Sequence, residues 1–160
     1  MSNQLFHFST DPHICEMNKD VISLDNPSIQ LFDKTAQAIA KELAKPQIWK
    51  WNNKLKRKEV KEDKNLNKIT QLRKVYDEIC MWDAKSKNEQ AFSENLPFIK
   101  MLNAKVAYAR GREYVDDKFV AMFSVCMGQI NEANKEDMKK FKTFKIFFEA
   151  FYGFYRSERV

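Results

Sequence analysis

The sequence predicts an all-α protein, a single-domain bundle of about five helices. Three observations lead there. Only 3 Gly and 4 Pro occur in 160 residues, so the tight turns of an all-β fold have little to build them from. Beyond residue 26, apolar residues recur at spacings of three and four, the period of a helix with one buried face. The length suits one ordinary domain that buries its own core and would cramp two.

In chain order, residues 1–25 show weak periodicity and read as a partly ordered arm. The domain proper spans 26–160. In "NPSIQLFDKTAQAIAKELAKP", Pro27 suits a first helical position, and Ile29, Phe32, Ala36, Ile39 and Leu43 form a stripe that Pro46 ends. Residues 46–65 are a basic connector carrying Lys50, Lys54, Lys56, Arg57, Lys58, Lys61 and Lys64 against three acids. Such a run is ordinarily a solvated connector or frayed helix. Trp49 and Trp51 at its edge keep a binding alternative open, because indole faces stack on bases while cations meet phosphates.

A second helix runs from about 67 to 82, with Leu66, Ile69, Leu72, Val75 or Tyr76 and Ile79 on one stripe and Asn65 or Asn67 as cap. After the polar "DAKSKNEQ", a third begins near Pro97, buries Phe98, Ile99, Leu102, Val106 and Ala109, and ends at Gly111. The segment "VDDKFVAMFSVCMGQI" repeats Val115, Phe119, Met122, Phe123, Cys126 and Ile130 as a core helix. In the last helix, Asn134 with Asp137 three residues on reads as an N-cap with a first-turn acid. Its stripe then runs from Met138 through Phe141, Phe144, Phe148 and Phe151 to Tyr155. Phe147, Tyr152 and Phe154 widen the aromatic surface to more than half the circumference, which calls for either a central position or a second buried contact.

The formal charge of +6, from 28 basic and 22 acidic residues, favours polyanionic partners. Cys15, Cys80 and Cys126 are odd in number and far apart, which suits a reducing cytoplasm rather than a disulfide framework. Neither a secretory leader nor a membrane-spanning apolar run is visible. A catalytic constellation is also missing. His7 and His13 lie in the arm, and His13 with Cys15 and Glu16 has no second ligand pair at metal-site spacing. Asp116 and Asp117 read as first-turn residues of a helix rather than as paired catalytic acids. Enzymatic activity, metal and cofactor are therefore not expected.

The stretch "LPFIKMLNAKVAYARGR" is the most suggestive for binding. At 100° per residue, Met101, Lys105, Tyr108 and Arg112 share one ridge beside the apolar face. Cation, aromatic and cation in line suit a sugar-phosphate backbone; a solvated helix border is the plainer alternative. Arg110 points toward the Ile99 side and has a structural reading.

Three ordered blocks, "ITQLRKVYDEI", "LPFIKMLNAKVAYARGR" and "FKIFFEAFYGFYR", resemble the small subunit of the type III-A CRISPR effector, the Csm complex. The resemblance covers roughly residues 65–156 and rests on Gln71, Leu72 and Arg73, on Tyr108, Ala109, Arg110 and Arg112, and on Phe148, Glu149, Ala150 and Tyr155. The first 65 residues carry none of these blocks, and of the threonines that often precede the Gln-Leu-Arg element only Thr70 stands here.

The resemblance implies a helical protein without catalysis of its own. Copies would stack as an inner filament beside the backbone subunits, near the large subunit, and hold guide RNA with target RNA. Target cleavage would belong to the backbone subunit, and cyclic oligoadenylate synthesis and DNA cutting to the large subunit. Within that reading the RNA-binding candidates are Lys105, Tyr108, Arg110 and Arg112, with Arg73, Lys74 and Lys100 beside them. Arg73 has an alternative as the partner of an acid on the bundle. The competing function is a helical adaptor that oligomerises through its aromatic last helix; a membrane-surface role fits less well, because the basic and aromatic residues lie on several helices.

Overall fold

From the N-terminus, a computed structural model, describing residues 5–9 and 15–159, pairs β1 (Phe6–Phe8) with β2 (Cys15–Met17). A π-helical turn (Leu31–Thr35) leads into α1 (Ala36–Leu43). A second hairpin, β3 (Gln47–Asn52) and β4 (Arg57–Glu62), precedes α2 (Ile69–Lys85). Then follow α3 (Glu89–Lys100), α4 (Leu102–Gly111), α5 (Asp117–Met127) and α6 (Lys135–Glu158). The protein is thus mainly helical, as expected, with two small antiparallel sheets that correct the all-α reading. No helix among the described residues is long and apolar enough to cross a membrane.

The core forms around α6. Phe141, Phe144, Phe147, Phe148, Phe151, Tyr152 and Tyr155 are all buried within the chain, and α6 packs against α1, α2, α3 and the π turn. Rings meet edge-on where space is tight, as for Phe144 and Phe148 with centroids 6.1 Å apart, and Tyr76 of α2 stacks on Tyr152 at 5.6 Å. The wide aromatic face is therefore spent inside the monomer. On the other side of the core, α5 contacts β2, β3 and α4.

Three helices start on side-chain caps. Asn88, Asp116 and Asn134 each accept the backbone N–H three residues on, from Ala91, Phe119 and Asp137, at 2.8 Å. Such a cap is worth about 1 kcal/mol. Two helix C-termini are capped by lysines instead. Lys118, 3% exposed, donates to the carbonyls of Glu42 and Lys45 at the end of α1. Lys100 donates at 2.7 Å to the carbonyls of Met127 and Ile130 after α5.

Several local expectations differ. Residues 27–30 are not helical, and Ile29 is fully exposed rather than part of the first stripe. Pro97 lies inside α3, which begins at the Asn88 cap, and the expected third helix is broken at Met101. Pro97 removes the bond to the turn before it, whereas at the break Met101 N–H still reaches Pro97 O and Phe98 O, both at 3.2 Å. Phe98 stays half out of the core, stacked on Trp82 at 5.7 Å. Gly111 is the last residue of α4, but the left-handed turn falls on Glu113, with φ 57°. Asn67 does not cap α2; it is buried with φ 57° among contacts described below.

The largest difference is at residues 46–65. They form neither a frayed helix nor an open connector but a hairpin in the register Gln47↔Glu62 through Asn52↔Arg57. Its four-residue turn is shaped by Asn52, whose Oδ1 accepts the N–H groups of Lys54 and Leu55, and by left-handed Lys56, with φ 50°.

Candidate nucleic-acid interface

The α4 ridge survives as a surface. Tyr108 is 64% exposed, and Lys105 and Arg112 are exposed beside it. Opposite it stands α2, and between the two helices lies an open groove of about 210 Å³. Its floor is apolar, with Val75, Leu102, Val106 and Val115; its rim carries Gln71, Lys74, Glu78, Lys105, Tyr108 and Tyr114. The structure thus brings Lys74 of one block and Lys105 and Tyr108 of another to one place.

Lys105 Nζ reaches both carboxylate oxygens of Glu78, at 2.8 and 2.7 Å. Lys105 and Glu78 are both partly solvated, so the pair contributes little in water and leaves the ammonium free to exchange one oxyanion for another. Lys74 has no ion-pair partner among the described residues. The Arg112 guanidinium lies over the Tyr114 ring, 5.8 Å from its centroid, a flat cation held beside a ring at the groove mouth. Arg73 sits one turn from Asp77, at 3.8 Å, with both side chains well exposed, the acid-paired alternative seen in the sequence.

Two candidates are committed to the fold. Lys100 gives its ammonium to Met127 O, Ile130 O and Asn131 Oδ1, and burial lowers its pKa from the ordinary lysine value. It lies outside the groove lining. Arg110 turns inward, pairing with Asp117 at 2.5 Å and donating to the carbonyl of Trp49 at 3.3 Å.

That inward turn links α4 to the β3–β4 hairpin. Asp117 accepts Trp49 N–H at 2.7 Å and Asp116 accepts Gln47 N–H at 2.8 Å, while Lys50 meets Glu113 at 3.6 Å. Asp116 is almost wholly buried. Desolvation raises its carboxyl to about 6, although hydrogen bonds with Asn67, Phe119 and Gln47 pull the other way. Asp116 and Asp117 therefore cap a helix and clamp a strand. The clamp was not visible in the sequence, since its partners stand 68 and 69 residues apart. Tyr114 was also missed, although an aromatic two residues beyond Arg112 was a usable signal.

Among the described residues no group of three His, Cys, Asp or Glu side chains could hold a metal ion; His13 lies outside them. Burial raises the pKa of the Cys15 thiol to about 12, so it is not an activated nucleophile.

No curated protein and no solved structure matches the chain. Residues 50–159 match the family described as Csm2 Type III-A, a span that takes in most of the β3–β4 hairpin and all of α2 to α6. With well over half its length matched, and with the three sequence blocks inside that span, the chain belongs to the Csm2 family, the small subunit of the type III-A CRISPR Csm complex.

Proposed function

We propose that this subunit is a non-catalytic RNA-binding component that stacks with copies of itself as an inner filament. There it holds guide RNA and target RNA through sequence-independent backbone contacts, acting in the cytoplasm in antiviral defence beside the backbone and large subunits. The observation that carries the reading is the exposed Tyr108 between Lys105 and Arg112, facing Lys74 across a groove, in a chain of the Csm2 family. Guide–target pairing reads sequence, so a filament subunit needs only cations for phosphates and a ring for a sugar or base. Lys74, Lys105, Tyr108 and Arg112 make those contacts, with Arg73 at the periphery. Lys100 and Arg110 act by holding the surface in place.

The adaptor alternative rested on the aromatic surplus of the last helix. That surplus is buried within the monomer, and nothing else favours it. The test is Lys105→Ala combined with Arg112→Ala. RNA affinity is expected to fall on the order of tenfold in moderate salt, with an unchanged circular-dichroism melt. An unchanged melt with undiminished RNA binding would remove this surface from the reading.

A further inference from the structure

The β3–β4 hairpin is a tenth of the chain and holds most of its net charge. Residues 47–62 carry six of the 28 basic side chains and two of the 22 acids, hence +4 of the chain's +6. Of these cations, Lys50 pairs with Glu113, and Arg57 with Glu59 at 3.3 Å. Lys54, Lys56 and Lys61 have no ion-pair partner among the described residues. Trp51, cross-strand from Lys58 and on the opposite face of the ribbon from Lys61, is 55% exposed, where an indole gains nothing from burial. An open hollow of about 440 Å³ on the hairpin is lined by Lys50, Trp51, Asn52, Lys54 and Lys61, with Glu59 as its acid.

The root of this element is held while its tip projects. Gln47 and Trp49 are clamped by Asp116 and Asp117, Asp63 N–H closes on Pro46 O, and Ile48 is buried. By contrast Trp51 and residues 53–57 are exposed. Concentrated positive charge, an exposed aromatic face and a fixed base are the parts of a single-strand binding platform: the ring stacks on a base of any identity, and the ammonium groups follow the phosphates.

We propose that the β3–β4 hairpin is a second contact for single-stranded RNA, with Trp51 stacked on a base, Lys54 in the turn on the adjacent phosphate, and Lys61 on a phosphate further along, where the RNA strand crosses the ribbon edge to its other face. It continues the surface of α4 through Arg110, which positions the hairpin without touching RNA. The inference rests on the RNA-binding reading above and adds a contact that the α4 groove does not supply. An acidic protein segment would satisfy the lysines but leave the exposed indole without a role.

The test uses the full chain and a fluorescent oligouridylate long enough to span both surfaces. Trp51→Ala is expected to weaken binding about fivefold or more. Lys54→Ala with Lys61→Ala should lower the salt slope by about 1.4, the share of two phosphate contacts on a single strand. All three side chains are exposed, so the thermal melts should match that of the wild type; Lys54→Glu with Lys61→Glu then gives a larger loss with the same fold. Normal affinity and salt slope in every hairpin variant, with loss confined to Lys105→Ala/Arg112→Ala, would overturn the hairpin contact and leave the groove standing. Absence of oligouridylate binding by the wild type would overturn both. Retained oligouridylate binding with lost binding to polyglutamate would assign the hairpin to an acidic protein and overturn the proposal.

Discussion

Asn67 ties four parts of the chain together. Its N–H donates to Tyr114 O and its carbonyl accepts the Tyr155 hydroxyl. Its side chain donates to Leu43 O and accepts Asp116 N–H. The end of α1, the approach to α5 and the last turns of α6 thus converge on one residue. Its left-handed backbone suits Asn and costs most other residues about 1–2 kcal/mol, and each buried group left unpaired costs about 1–3 kcal/mol. Asn67→Ala should therefore destabilise the fold on the order of 4 kcal/mol in urea unfolding; a loss under about 1 kcal/mol would show that the junction does not depend on it. Asp116, next to this hub, gives a pH signature. Its folded pKa is raised to about 6 from 3.8, so the native state binds the proton more tightly than the unfolded chain. That contribution to stability is full below about pH 4 and is lost as pH rises through 6. Wild type minus Asp116→Asn, measured by unfolding from pH 4 to 7, should show stability falling with rising pH; a flat difference would rule the shift out.

At the scale of elements, α5 and α6 were legible because their burial is one-sided and periodic: Phe119, Met122, Phe123 and Cys126 in one, Phe141 to Tyr155 in the other. The Asn134 cap was equally local. The hairpin was not legible, because Ile48 is its buried residue and its anchors are carboxylates far along the chain. A strand held by backbone-to-carboxylate bonds leaves no hydrophobic period to read. The candidate surface divides in the same way. Exposure of Lys105, Tyr108 and Arg112 follows from helical geometry, whereas the use of Lys100 on the end of α5 and of Arg110 on Asp117 depends on tertiary neighbours. Arg110→Met should loosen the hairpin alone. Hydrogen exchange of amides in 47–62 is expected to quicken while α6 amides stay protected; uniform quickening would mean that Arg110 supports the whole bundle.

For the whole molecule, a core wrapped around one long helix leaves the outer surfaces of α2, α4 and the hairpin free to bind without contributing to the core. In the proposed reading, individual RNA contacts on such a surface are weak, and repetition along one strand supplies avidity. With about four phosphates neutralised by the groove and its periphery and two more by the hairpin, the proposed reading gives log affinity a slope of roughly −4 against log salt on single-stranded RNA. A flat response would refute an electrostatic mode.

The lysines that cap helix ends have a chemical consequence. Lys118 and Lys100 keep their ammonium groups on carbonyl oxygens, whereas Lys54, Lys56 and Lys74 meet solvent. An amine-acylating reagent would thus sort the chain's lysines by duty. It would modify the solvent-facing set first and reach the capping pair only when a helix end frays, so mass spectrometry of the labelled protein would separate structural lysines from available ones without a single substitution.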